Sequence, residues 1–153
     1  MVQTPTEVVR QFLANTTNPT IVESLVADDA TYVPLNYDNP DLKKIMPWAG
    51  TSKGPQAFID TFARVGRFWQ ILAFSPEELF GAGENVAVFG RFTYKSRTQG
   101  KTVESPFSIL SRVRDGKIVY FQFMEDTFAT AASFKSGGSS TFLSDPSGAE
   151  IKI

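Results

Sequence analysis

The stretch from Trp69 to Glu125 limits most strongly what this chain can fold into. Its apolar residues recur with a period near two over long runs: Val86 to Arg97, Thr102 to Arg114 and Lys117 to Glu125. Between them lie turn residues at Gly81 to Asn85, Gln99-Gly100 and Asp115-Gly116. The last pair is a strong hairpin signal, because both residues tolerate a positive φ. Ile71 to Phe80 reads as one more strand, kinked at Pro76, which has no N–H to give a ladder. Four consecutive strands joined by short turns predict an antiparallel meander.

Helices come first. Thr4 is an N-cap residue, Pro5 suits the first helical position, and Glu7 completes a capping box. Val8, Val9, Phe12 and Leu13 then share one face. Asn18-Pro19 repeats the signal ahead of Ile21, Val22, Leu25 and Val26. Asp28-Asp29 stops that helix, and Thr31-Tyr32-Val33 reads as a short strand closed by Pro34. From Leu35 to Lys53 the periodicity vanishes among Asn36, Asp38, Asn39, Pro40, Asp41 and Pro47, with Trp48 near the end. A loop of this length is expected to be functional or mobile. Gly54-Pro55 opens a third helix with Phe58, Phe62, Val65 and Trp69 on its apolar face. Asp126-Thr127 caps a short helix, Phe128 to Phe134, before the linker composition Ser136-Gly137-Gly138-Ser139-Ser140.

Helices followed by a curved meander predict an α+β domain over residues 1–134 with helices packed on one face of the sheet. A polar tail, residues 135–153, is expected to be flexible or to pack on a neighbouring copy. The final strand, Ile118-Val119-Tyr120-Phe121-Gln122-Phe123-Met124, is apolar on both faces. An antiparallel sheet with one solvated face does not read that way. A homodimer through the sheet is the expected cover; the alternative is the tail folding over that face.

Two zeros restrict the chemistry. The 153 residues contain no Cys and no His. There is no thiolate, no disulfide, and none of the commonest general base and metal ligand. Serine-His and Cys-His hydrolysis are excluded in their standard forms. Proton chemistry falls to Asp, Glu, Lys or Tyr. A formal net charge of -1 argues against a nucleic-acid partner or a polybasic membrane surface. No apolar run reaches the roughly 18 residues of a membrane helix, and the N-terminus lacks a signal layout, so a cytoplasmic protein is expected. Gly81-Ala82-Gly83 begins a dinucleotide fingerprint, but Val86 holds the third glycine site and a hairpin follows; no cofactor is expected.

Ala27-Asp28-Asp29-Ala30-Thr31, Pro47-Trp48-Ala49-Gly50-Thr51 and Arg114-Asp115-Gly116-Lys117-Ile118-Val119 followed by Asp126-Thr127 resemble the nuclear transport factor 2-like superfamily. The likeness is to its bacterial SnoaL-like and ketosteroid-isomerase-like branch, over about Pro5 to Phe134. It implies a cone-shaped, cystatin-like roll: a curved antiparallel or mixed sheet wrapped around a long helix, with an apolar pocket at the open end. Steroid isomerases of this fold use a Tyr and two Asp. The matching positions are Phe12, Pro34 and Ile109, so that mechanism is absent. Limonene-epoxide hydrolases use an Asp-Arg-Asp set, which falls on Asp126, Arg91 and Thr93; Thr93 cannot act as an acid.

The resemblance therefore singles out Asp126 as general base and Arg91 as its orienting partner. If the strand face of Arg91 lines the cone, its guanidinium needs an anion, and Asp126 at the mouth supplies one. Both residues also have a structural reading, Asp126 as a helix cap and Arg91 as its ion-pair partner. Tyr32, Trp48, Phe62, Phe89, Thr93, Phe107, Ile109 and Met124 are the candidate walls of a pocket for a small apolar molecule, with Trp48 as lid. Core packing is the alternative for Phe62 and Phe89. Two functions stay open: an isomerase, lyase or hydrolase with a pocket carboxylate, or a non-catalytic ligand-binding or protein-interaction module.

Overall fold

A computed structural model describes residues 2–35 and 38–153. Asn36, assigned above to the long loop, lies outside the described residues. The elements run α1 (Pro5–Leu13), α2 (Pro19–Leu25), β1 (Val26–Val33), α3 (Pro40–Ile45), β2 (Ser52–Lys53), α4 (Pro55–Phe68), β3 (Trp69–Ala82), β4 (Asn85–Ser96), β5 (Thr102–Arg114), β6 (Lys117–Glu125), α5 (Thr127–Ala132), β7 (Thr141–Phe142) and β8 (Ile151–Lys152). This is the expected α+β roll.

The capping box of α1 forms: the Thr4 hydroxyl accepts from the Glu7 N–H, and the Thr4 N–H donates to Glu7 Oε2 at 2.7 Å. Asp115 at φ 50° and Gly116 at φ 76° make the β5–β6 turn that Asp-Gly announces. Helix α3 was not expected. It is a single short turn capped by Asn39, whose side chain accepts from the Asp41 and Leu42 N–H groups, and it buries only Leu42. β1 begins at Val26, so Asp28 and Asp29 lie within a strand and not at a helix end.

The six-stranded sheet has the order β2-β1-β6-β5-β4-β3. β3 to β6 form the antiparallel meander, while β1 joins β6 in parallel, making the sheet mixed. The inner face follows strict alternation: Val86, Val88, Gly90 and Phe92 on β4, and Val103, Ser105, Phe107, Ile109, Ser111 and Val113 on β5, are all buried. Against them pack α1 and α4. Phe12 meets Phe58, Phe62 and Phe121 at centroid distances of 5.7, 5.8 and 5.2 Å. Tyr32 stacks on Phe58 at 3.8 Å. Rings therefore fill this end of the cone.

A second buried cluster joins Leu35, Leu42, Met46, Trp48 and Ala49 to Trp69 and Val103. Helix α5 is tied to the sheet by Ser96 Oγ, which donates to the Ser133 carbonyl at 2.7 Å, and by the Asp126 N–H, which donates to Ser105 Oγ. The tail, expected to be flexible or to pack on a neighbouring copy, forms a two-stranded hairpin of β7 and β8. It frames a recess with Ile45, Phe128 and Phe134 beside α3 and α5, and does not form part of the six-stranded sheet. No helix among the described residues is long and apolar enough to cross a membrane.

Gly90 is the tightest point of the sheet. A Cβ there would lie 2.2 Å from the Ser75 carbonyl and 2.7 Å from the Phe107 ring. The missing side chain lets Phe107 lie across β4 and lets β3 shift register after Pro76. Gly90→Ala is expected to destabilise the fold by about 1–3 kcal/mol through overpacking. Gly137→Ala, where a Cβ meets nothing within 4 Å, should be close to neutral. Urea unfolding of the two variants checks this; equal midpoints would contradict the crowding.

Candidate functional site

Strand alternation decides which acid enters the cone. On β6, Phe121 and Phe123 face inward, and Glu125 is next in that series. Its Cα pairs with that of Phe107, whose side chain is buried on the inner face. Paired residues share a face, so the Glu125 carboxyl points in with the Phe107 ring. The Thr130 side chain of α5 lies near it, its hydroxyl donating to the Thr127 carbonyl at 3.5 Å. Burial pushes its pKa up to about 7, the Thr130 contact opposes this, and the adjacent Asp126 charge adds to it. Glu125 is thus a carboxyl poised near neutrality.

Two phenols accompany it. Tyr94 on β4 stacks on Phe92 at 4.0 Å, and Tyr32 on β1 lies over Phe58. Burial raises the pKa of Tyr94 first, and the Glu125 charge raises it further. Tyr32 is raised by burial and then by Tyr94, while the nearby Thr61 side chain opposes the rise. The Glu125 charge reaches Tyr94 and the Tyr94 charge reaches Tyr32, and both phenols keep their protons throughout the neutral range. Around them Phe62, Phe74, Tyr94 and Phe123 are packed on the core yet only partly buried.

Asp126 and Arg91 are not brought together. Asp126 is exposed and caps α5, its carboxylate accepting from the Ala129 N–H at 3.1 Å. Its neighbour along the chain takes the inward position because side chains alternate. Arg91 is exposed on the outer face, 3.5 Å from Glu104 and 3.9 Å from Glu77. Its expected partner is corrected accordingly: it joins two strand carboxylates, as β4 turns it away from Phe92.

The expected walls divide in the same way. Tyr32, Phe62, Phe107 and Ile109 face inward, Phe107 and Ile109 fully buried and Phe62 partly so. Phe89, Thr93 and Met124 occupy the outer face, because they pair with or alternate against inward residues. Trp48 is no lid over the cone. It is buried edge-on against Phe68 at 5.2 Å and floors a separate recess of about 230 Å³ with Lys43, Asp60, Thr61 and Arg64. Among the described residues no group of three His, Cys, Asp or Glu side chains is placed to hold a metal ion.

The fold is that of the nuclear transport factor 2-like superfamily. The chain belongs to the SnoaL-like domain family, which matches residues 9–121. It is 53% identical over 133 residues to patulin synthesis protein F of Aspergillus clavatus, covering 84% of this chain and 67% of that protein. It is 46% identical over 152 residues to patulin biosynthesis cluster protein F of Penicillium expansum, covering 95% of this chain and 76% of that one. A nuclear transport factor 2-like crystal structure from Burkholderia thailandensis superposes with a TM-score of 0.75 at 25% identity, over 88% of this chain and 99% of that one. The structural neighbour is bacterial, as the resemblance anticipated, whereas the two sequence relatives are fungal.

A folded pKa above the ordinary 4.5 means that the folded chain keeps a proton the unfolded chain has lost. Stability should then fall as pH rises from about 4.5 to about 7, and be unaffected by this group above that. Glu125→Gln is expected to remove that part of the loss. Urea midpoints at about pH 5 and about pH 8 test it; parallel losses in both chains would place the carboxyl in water.

Proposed function

We propose that this protein is an enzyme of small-molecule secondary metabolism that moves a proton on a carbonyl-bearing substrate held at the inner face of the cone. Glu125 is the general base. A carboxylate with a pKa near neutrality is both deprotonated and basic enough to take a proton from carbon. The Tyr94 hydroxyl donates to the oxygen on which negative charge then develops. Glu125 returns the proton at the new position, so the reaction class is isomerisation, or lyase chemistry where a leaving group departs. The observation that carries this reading is the inward carboxyl of Glu125, whose charge reaches the Tyr94 phenol on β4. The names of the two fungal relatives support the metabolic setting, the biosynthesis of patulin or a compound like it.

The test is complementation of a Penicillium expansum strain lacking its own protein F. Extracts of that strain, incubated with this protein, should show consumption of an accumulated intermediate by mass spectrometry. Glu125→Gln should slow that consumption by about 100-fold or more, and Tyr94→Phe by less. Asp126→Asn should leave it unchanged. Full turnover by Glu125→Gln would return the protein to the class of non-catalytic binding modules.

The outer sheet face supports a second proposal, pairing with another copy of this chain. Phe80 and Phe89 stack at 6.2 Å, are 58% and 49% exposed, and have Leu110 nearby across the ladder. Arg91, Glu77 and Glu104 give one edge both signs of charge, as a self-complementary surface requires. Phe89→Glu should convert a dimer to a folded monomer in sedimentation velocity; an unchanged mass would remove this face from the interface.

A further inference from the structure

A groove of about 550 Å³ lies between the end of α1 and the kinked part of β3, lined by Arg10, Leu13, Phe74, Glu77, Glu78 and Leu79 among others. Phe74 belongs to two places at once. It lines this groove, and it stacks on Phe107 at 4.6 Å with the rings only 10° from parallel. Phe107 is in turn the cross-strand partner of Glu125 and lies parallel to Phe123 within 17°. The Phe74 ring therefore stands between the groove and the Phe107 face.

The backbone that carries Phe74 has room to move. β3 is an edge strand, with β4 as its only ladder partner among the described residues. Its register slips between Ile71 and Ala73 and again between Pro76 and Glu78, so Phe74 sits on a short segment bracketed by two irregularities. The groove also carries a charge signature. One cation, Arg10, faces two anions, Glu77 and Glu78, and Glu77 is drawn toward Arg91. Such a rim disfavours an anionic ligand, and the apolar rings behind it would strip water from any charge.

We propose that this groove is the doorway to the inner face and Phe74 its gate, admitting a flat, uncharged, conjugated ligand that takes the place of the Phe74 ring on Phe107. The proposal rests on the reading that the inner face binds a small molecule, and is independent of whether Glu125 moves a proton. While Phe74 lies on Phe107 the acceptor face is occupied by the protein itself. Apparent affinity is then reduced by the fraction of molecules whose gate is closed. Selection among ligands follows from shape: a planar ring reproduces the parallel stack, whereas a bulky saturated one does not.

The probes are 2-naphthol and its anionic counterpart 2-naphthoate, followed by their own fluorescence in stopped flow and at equilibrium with the full chain. The wild type is expected to bind 2-naphthol saturably and 2-naphthoate at least about tenfold more weakly, since a charge must be desolvated. Phe74→Ala should raise both the association rate and the apparent affinity severalfold. Phe74→Trp should slow association, and both variants should keep the wild-type circular dichroism. Phe107→Ala should weaken 2-naphthol binding. Glu125→Gln should retain it, so loss of turnover and loss of gating can be told apart. Weakened binding in both Phe74 variants would make Phe74 a packing residue and overturn the gate. Loss of binding in Phe128→Ala would put the probe in the recess beside the tail and overturn the doorway.

Discussion

The pairing of β5 with β6 sets Phe107 opposite Glu125, and the rest of the site depends on that register. A slip of one residue would send Glu125 outward and bring Asp126 in, with every aromatic on β6 exchanged between core and surface. The register is held from both ends. The Asp115-Gly116 turn fixes where β6 starts. At its end Asp126 caps α5 and Ser105 accepts the Asp126 N–H, so the chain leaves the sheet at one defined residue. The cap that disqualifies Asp126 as a free base is thus part of what aims Glu125.

The interior joins two demands that usually conflict. Rings of Phe12, Tyr32, Phe58 and Phe121 fill one end and supply much of the core, while the ring array of Phe74, Phe92, Phe107 and Phe123 lines the other. A carboxyl among such rings is desolvated, and that shifts Glu125 toward neutrality without any cationic partner. The nearby Thr130 side chain offsets only part of that shift. More donors would have stabilised the ionised form and returned an ordinary acid with little power as a base. The absence of His is in this sense no handicap: a buried Glu reaches the same range of pKa by a different route.

Much of the fold is legible in the residues. The capping box of Thr4 and Glu7, the Asp-Gly turn and the runs 102–114 and 117–125 are local features, and the structure repeats them with little change. Helix α3 was hidden because one turn with a single buried residue has no period to detect. The site was legible in part. Period-two reading of Phe121, Phe123 and Glu125 would have named the inward acid, but likeness to hydrolases drew attention one residue further, to Asp126. Trp48 was misplaced for a different reason: a Trp within a polar segment finds its apolar neighbours, Trp69 and Phe68, only once the chain has folded back.

By itself the sequence determined the element order, the alternation of each strand and the restriction of proton chemistry to carboxyl and phenol, because these are properties of near neighbours and of composition. Tertiary structure alone decided which strand face became the inside, that Arg91 would serve Glu77 and Glu104 and that Glu125 would lie near Tyr94. Those outcomes depend on contacts between β1, β4 and β6, and no local pattern records which of its two faces a strand will turn toward the helices.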